Sequence, residues 1–226
     1  MPVREPPLKG PWTVWTIALV IMAGYAVQRL TGGTNTAVDA FAFTPAQLDH
    51  GRFLPMITAL FVHGAWAHAG MNAVGALAFG APAARYFGLG PRGAAGFFLL
   101  YITCGILSCL GYAAAHLHDT APLVGASGAV SGLLGASTRL LERRGSISPL
   151  ATRTVVASTF AWIVINAMMG LLHYAPGLGQ ANVAWEAHIA GYFAGLLLVP
   201  VFAALFRETP PPEPDEDDEP SIQRLD

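Results

Sequence analysis

The chain has 226 residues, of which 54% are hydrophobic and only 12% charged, with a formal net charge of −2 and a mean hydropathy of +0.49. Soluble domains carry about 25% charged residues, so an ordinary soluble domain is excluded and a chain that lives in lipid is indicated. No nucleic-acid partner is expected.

Apolar runs suited to a bilayer core, which takes about 20 helical residues to cross, fall near 12–30, 66–88, 93–115, 124–141, 154–173 and 184–206. The second and fourth are diluted by Gly and Ala. Lipid offers backbone polar groups no partners, so spans of this length are expected to be helical. The predicted fold class is all-α membrane protein, a six-transmembrane-helix bundle with a long external loop between the first two helices. Three regions follow: an N-terminus over 1–11, the membrane domain over 12–206, and an acidic, Pro-rich tail over 207–226. The first run is long, lacks a small-residue cleavage pattern and is flanked by Arg4 and Lys9, so it is expected to be retained as a span.

The connection over 31–65 is unusually long and too apolar to be disordered. Phe41, Phe43, Phe53, Leu54, Met56, Ile57, Leu60, Phe61 and Val62 are expected to be buried in a loop packed against the bundle at the outer interface. Thr44-Pro45 is suited to start a short helix, with Thr44 as N-cap and Pro45 at the first position. Cys104 and Cys109 fall in the third run; five apart on a helix they diverge, so they read as small buried hydrophobes and not as a disulfide. The tail from Glu208 holds Pro210-Pro211-Pro212 and Asp215-Glu216-Asp217-Asp218-Glu219 and is expected to be disordered.

Charge sets the orientation. With a cytoplasmic N-terminus, Arg4, Lys9, Arg85, Arg92, Arg139, Arg143, Arg144, Arg153 and Arg207 lie inside, against Arg29 and Arg52 outside. This is a clear positive-inside bias, and it predicts that both termini are cytoplasmic.

Two runs carry reactive side chains. Val124-Gly125-Ala126-Ser127-Gly128-Ala129-Val130-Ser131-Gly132 sets a hydroxyl among small residues, and Ala187-His188-Ile189-Ala190-Gly191 places an imidazole on another span. Both spans enter from outside, so Ser127 and His188 are expected at similar depth, each about one turn in. Proton transfer requires an approach of about 2.6–3.2 Å. The GxxxG pairs Gly128/Gly132 and Gly191/Gly195 permit close helix packing, and His188, Gly191 and Gly195 share one face. Either GxxxG alone reads as ordinary packing; flanking a Ser and a His they support a dyad. A lone membrane serine mostly bonds its own helix, whereas an intramembrane histidine is a functional candidate by default. His68 and Asn72, four apart at the outer start of the second run, project from one face and could donate hydrogen bonds to an oxyanion. His63 lies five residues before His68, a divergence of about 140° on a helix, and is expected to anchor the loop.

On these motifs the chain resembles the rhomboid family of intramembrane serine proteases. The residues that carry the resemblance are His63 and His68 with Asn72, Gly125-Ala126-Ser127-Gly128, and Ala187-His188 followed by Gly191 and Gly195. The resemblance implies the six-helix core form of that family, with Ser127 as nucleophile and His188 as general base and then acid. It further implies an oxyanion hole from His68, Asn72 and the Ser127 amide, with packing support from Gly125, Gly128, Gly132, Gly191 and Gly195. Substrates would be transmembrane segments of other proteins, cleaved near the external face of a bilayer that is expected to be the bacterial inner membrane. No cofactor and no metal are expected. The chain departs from the pattern at Ser131, where relatives often carry an aromatic residue that packs on the histidine, and at Leu54-Pro55, where many have Trp-Arg. A catalytically silent binder of membrane proteins on the same fold is the alternative. A haem or metal protein using His63, His68, His173 or His188 is disfavoured, since no two share helical ligand spacing within one span.

Overall fold

The computed structural model describes residues 10–142, 145–175, 179–180 and 183–208. Arg4, Lys9, Arg143, Arg144 and the tail beyond Glu208 lie outside them. The apolar runs become helices: α1 (Trp12–Thr31), α4 (Trp66–Phe87), α5 (Pro91–Ala115), α6 (Ser127–Thr138), α7 (Arg153–Leu172) and α8 (Trp185–Phe206). Between the first two of these lie α2 (Gly33–Phe41), a 3₁₀ turn over Pro45–His50, α3 (Pro55–Thr58) and a second 3₁₀ turn over Ala59–Phe61. Two-residue strands β1 (Tyr174–Ala175) and β2 (Gly179–Gln180) pair antiparallel between α7 and α8.

Among the described residues, α1, α5, α7 and α8 are long and apolar enough to cross a bilayer. The fourth apolar run behaves differently from its expected extent over 124–141. Its helix has 12 residues, roughly 18 Å at about 1.5 Å per residue, against a core of about 30 Å. All of α6 except Ser127 and Leu134 is buried, so this short helix is sheathed by its neighbours.

Glycine sets how closely the helices approach α6. A Cβ on Gly191 would land on the Gly128 carbonyl oxygen, and one on Gly195 on the Gly132 carbonyl oxygen. A Cβ on Gly128 would meet Ser108 of α5, and one on Gly132 would meet Cys104. In lipid, where apolar surface gains little by leaving its solvent, such close packing is the main source of helix association. Around this contact Phe87, Phe97, Leu100, Leu133 and Tyr192 are fully buried. Cys104 and Cys109 are buried free thiols.

The connection over 31–65 is built of short helical pieces strapped to the segment that leads into α6. Phe43 and Leu123 exchange both backbone hydrogen bonds, the Ala46 N–H donates to the Asp119 carbonyl, and the Gly125 N–H donates to that of Ala59. Thr44 and Pro45 start a 3₁₀ turn as expected, with the Gln47 side-chain oxygen accepting from the Thr44 N–H at 3.1 Å. Phe43, Met56, Leu60 and Val62 are buried, but Phe41, Phe53, Leu54 and Phe61 are exposed. The expectation of general burial therefore fails for the latter four: the strap is one layer thick and has an outer face.

At the opposite end, the first two residues of the region read as tail are fixed in place. The Glu208 carboxylate accepts from the N–H groups of Gly90 (2.9 Å), Arg92 (3.1 Å) and Gly93 (3.1 Å), the donors that a helix N-terminus leaves without intrahelical partners. These bonds, that from Gly93 foremost, and the Arg92 charge hold its carboxyl below the usual range. The Arg207 guanidinium stands 4.1 Å from the Tyr86 ring centre.

Candidate active site

Ser127 is the first residue of α6, not one turn into it: Ala126 precedes it as N-cap and Gly125 has φ +107°. A helix start leaves its first N–H groups without intrahelical acceptors, so the Ser127 amide is available. His188 lies one turn into α8, as expected. The glycine contact between α6 and α8 brings the two side chains together, with Ser127 Oγ 2.8 Å from His188 Nε2. Both are half-buried.

His188 is held from its other side. Its Nδ1 lies 2.9 Å from Asn166 Oδ1, and the Asn166 amide nitrogen donates to the Trp162 carbonyl at 2.9 Å. Asn166 was not among the residues singled out from sequence; the available signal was a lone carboxamide inside the apolar run 154–173. Ser131, four residues after Ser127, does not reach His188. Its hydroxyl donates to the Ser127 carbonyl at 2.8 Å, the common behaviour of helix serines.

His68 and Asn72 reach the same point from α4. The position a Cβ would take on Gly125 is 2.6 Å from His68 Nε2 and 3.5 Å from Asn72 Nδ2. Asn72 is buried, and its amide nitrogen has no hydrogen-bond partner among the described residues. A buried donor left unpaired costs roughly 1–3 kcal/mol, and this one lines the same cavity as Ser127 and His188.

His63 does not join the reactive groups. It is fully buried, its ring 5.0 Å from that of His68 and edge-on to Tyr25. Its backbone carbonyl accepts from Gln28 Nε2 at 2.7 Å while its N–H donates to Gln28 Oε1 at 3.2 Å. Gln28, another residue missed in the sequence, thus ties the strap to α1 through the His63 backbone, while neither imidazole nitrogen of His63 has a hydrogen-bond partner among the described residues. The non-helical bend at Gly64 and Ala65, between His63 and α4, removes the divergence that a continuous helix would impose.

An open cavity of about 810 Å³ runs from the bundle's end down between α4 and α7, lined by Ser127, His188, His68, Asn72, Phe79 and Trp162 among others. Its mouth carries Glu186 and His116, 3.1 Å apart. Among the described residues, no group of three His, Cys, Asp or Glu side chains is arranged to hold a metal ion. His173 sits at the rim and is exposed.

The apolar helices, with a serine hydrogen-bonded to a histidine at one end of the bundle, define the class as an integral membrane protein. The chain belongs to the rhomboid family, whose Rhomboid domain matches residues 50–205. It is 29% identical over 189 residues to Rhomboid protease GluP of Bacillus subtilis (strain 168), covering 83% of this chain and 34% of that one. It is also 23% identical over 231 residues to RHOMBOID-like protein 5 of Arabidopsis thaliana, covering 87% of this chain and 70% of that one. The chain thus spans about a third of the length of the Bacillus protein.

Proposed function

We propose that the protein is an intramembrane serine endopeptidase that hydrolyses peptide bonds in or near transmembrane segments of other membrane proteins. The 2.8 Å approach of Ser127 Oγ to His188 Nε2 carries this reading. Nε2 takes the hydroxyl proton as Oγ attacks the scissile carbonyl carbon. The resulting oxyanion accepts hydrogen bonds from Asn72 Nδ2, His68 Nε2 and the Ser127 amide, donors already aimed at the space beside Gly125. Collapse breaks the C–N bond, and the imidazolium returns its proton to the departing amine. Water then attacks the acyl ester, His188 accepts its proton, and Ser127 regains a hydrogen as the acid leaves.

A hydrogen-bonded helix hides its carbonyls, so substrates whose helices unwind easily at the cut are favoured. The membrane domain is read as six spans, with α4 and the sheathed α6 completing the four long apolar helices. The positive-inside bias supports a cavity mouth on the outer side, where water reaches it.

The test is fluorophosphonate labelling of the full chain in detergent, followed by cleavage of a transmembrane reporter. Labelling should vanish in Ser127→Ala and fall by roughly 100-fold or more in His188→Ala, the scale of a lost general base. Undiminished labelling of the Ser127 variant would refute the nucleophile. Absent labelling of folded wild type would favour a silent binder of membrane proteins.

A further inference from the structure

Two features of His188 lead past the serine–histidine pair. An imidazole serves as general base through Nε2 only in the tautomer whose proton sits on Nδ1, and which nitrogen carries it is set by the partner of the other. Nothing on α6 sets it, because the Ser131 hydroxyl is turned to the Ser127 carbonyl. Among the described residues, the one side chain hydrogen-bonded to Nδ1 is Asn166.

Asn166 can present either an acceptor or a donor there, and its own second bond decides. The Trp162 carbonyl, one turn back on α7, can only accept, so it takes the amide N–H₂ at 2.9 Å and turns Oδ1 toward His188. An acceptor facing Nδ1 requires the proton on Nδ1. Burial makes the arrangement strict: Asn166 is 0% exposed, and of the 20 residues of α7 only it and Val155 are buried. A helix with so little of its surface buried keeps a carboxamide fully inside, against the cost of burying one.

We propose that Asn166 is a positioning residue that holds His188 with its proton on Nδ1 and its Nε2 lone pair toward Ser127. This inference rests on the protease reading for its consequence but not for its geometry. Docking of α7 does not depend on it alone. Thr159 Oγ1 lies 2.9 Å from the Tyr192 hydroxyl, and Trp162 stacks on Tyr192 with ring centres 6.1 Å apart, so α7 stays on α8 when Asn166 is altered.

The experiment has two readouts on the full chain in detergent: ¹⁵N-histidine spectra, with His188 assigned from His188→Ala, and the rate of fluorophosphonate labelling against pH. The titratable groups sharing the cavity with His188 are His68, Tyr112, His116, Asp119, His173 and Glu186, and all are present in every variant compared. In the wild type His188 should show a protonated Nδ1 and a bare Nε2. Asn166→Ala should mix the tautomers and slow labelling by roughly 100-fold, the scale of a misplaced general base, with the fold retained. Asn166→Asp keeps an acceptor at the same place and should restore the tautomer and most of the rate. Its negative charge favours the imidazolium, so the base stays protonated to higher pH and the acidic limb of the profile moves upward.

A merely structural asparagine would give no mixing of tautomers in Asn166→Ala and no rescue by Asp. A wild-type His188 protonated on Nε2 overturns the proposal. So does a Ser127-dependent rate that Asn166→Ala changes less than twofold with the tautomer intact, and that outcome leaves the protease reading standing. A wild type that never labels, yet whose His188 tautomer depends on Asn166, sinks the protease reading and supports the positioning role.

Discussion

Gly125 meets two demands that no other residue type meets together. Its φ of +107° lies where L side chains are strained, and a Cβ there would stand 2.6 Å from His68 Nε2. Gly125→Ala should therefore push His68 and Asn72 away from the oxyanion position while Ser127 and His188 remain paired. A displacement costing about 1.4 kcal/mol in the transition state is tenfold in rate, so labelling should fall at least about tenfold without loss of the folded protein. An unchanged rate would remove Gly125 and its two neighbours from the reaction. Ser127, His188, His68 and Asn72 were legible because each pairs a reactive group with small neighbours or with helical spacing in one stretch of chain. Asn166 and Gln28 were not, since neither stands in a motif of small residues or at helical spacing from another candidate that would point to partners 22 and 35 residues away. A single carboxamide in an apolar run looks the same whether it orients a histidine or bonds its own helix.

At the scale of elements, the bounds of α1, α4, α5, α7 and α8 follow from where apolar runs meet charge, Gly and Pro. That of α6 does not. A run of Val, Gly and Ala leads into it, and only tertiary contacts say that the chain becomes helical at Ser127 and no earlier, whereas its last residue, Thr138, is followed directly by the charge of Arg139. The GxxxG pairs announced close packing, but which backbone they would touch depended on the three-dimensional pairing of α6 with α8. Gly195 is the sharpest case, since the atom it faces is the Gly132 carbonyl oxygen, which cannot rotate away as a side chain could. Gly195→Leu should force α8 off α6, with a penalty of about 1–3 kcal/mol or more for overpacking. Thermal unfolding in detergent should show a clearly lowered midpoint. Gly70→Ala, where an added Cβ meets nothing within 4 Å, should leave the midpoint unchanged or slightly raised. Equal midpoints for the two variants would mean that the α6–α8 contact is looser than described.

Across the whole molecule, chain direction orders everything else. His68, Ser127 and His188 all stand in the first turn of their helices, so α4, α6 and α8 run the same way from the cavity. The far ends of α4 and α8 meet the start of α5, where Glu208 donates its N–H to the Phe87 carbonyl and its carboxylate closes on Gly90, Arg92 and Gly93. Arg85, Arg92, Arg139, Arg153 and Arg207 consequently collect at the end opposite Ser127, and the positive-inside rule turns that asymmetry into an orientation. The arginine count was legible in the sequence; its alignment with the depth of the site was not, because α6 is too short to fix depth by hydropathy. A single added cysteine reads the outcome, since both native thiols are buried. His118 and Ser146 are exposed residues of the α5–α6 and α6–α7 connections, at opposite ends of the bundle. In intact cells a membrane-impermeant maleimide should label His118→Cys and leave Ser146→Cys unmodified until the membrane is opened. The reverse pattern would turn the cavity toward the cytoplasm and with it the side from which substrates and water arrive.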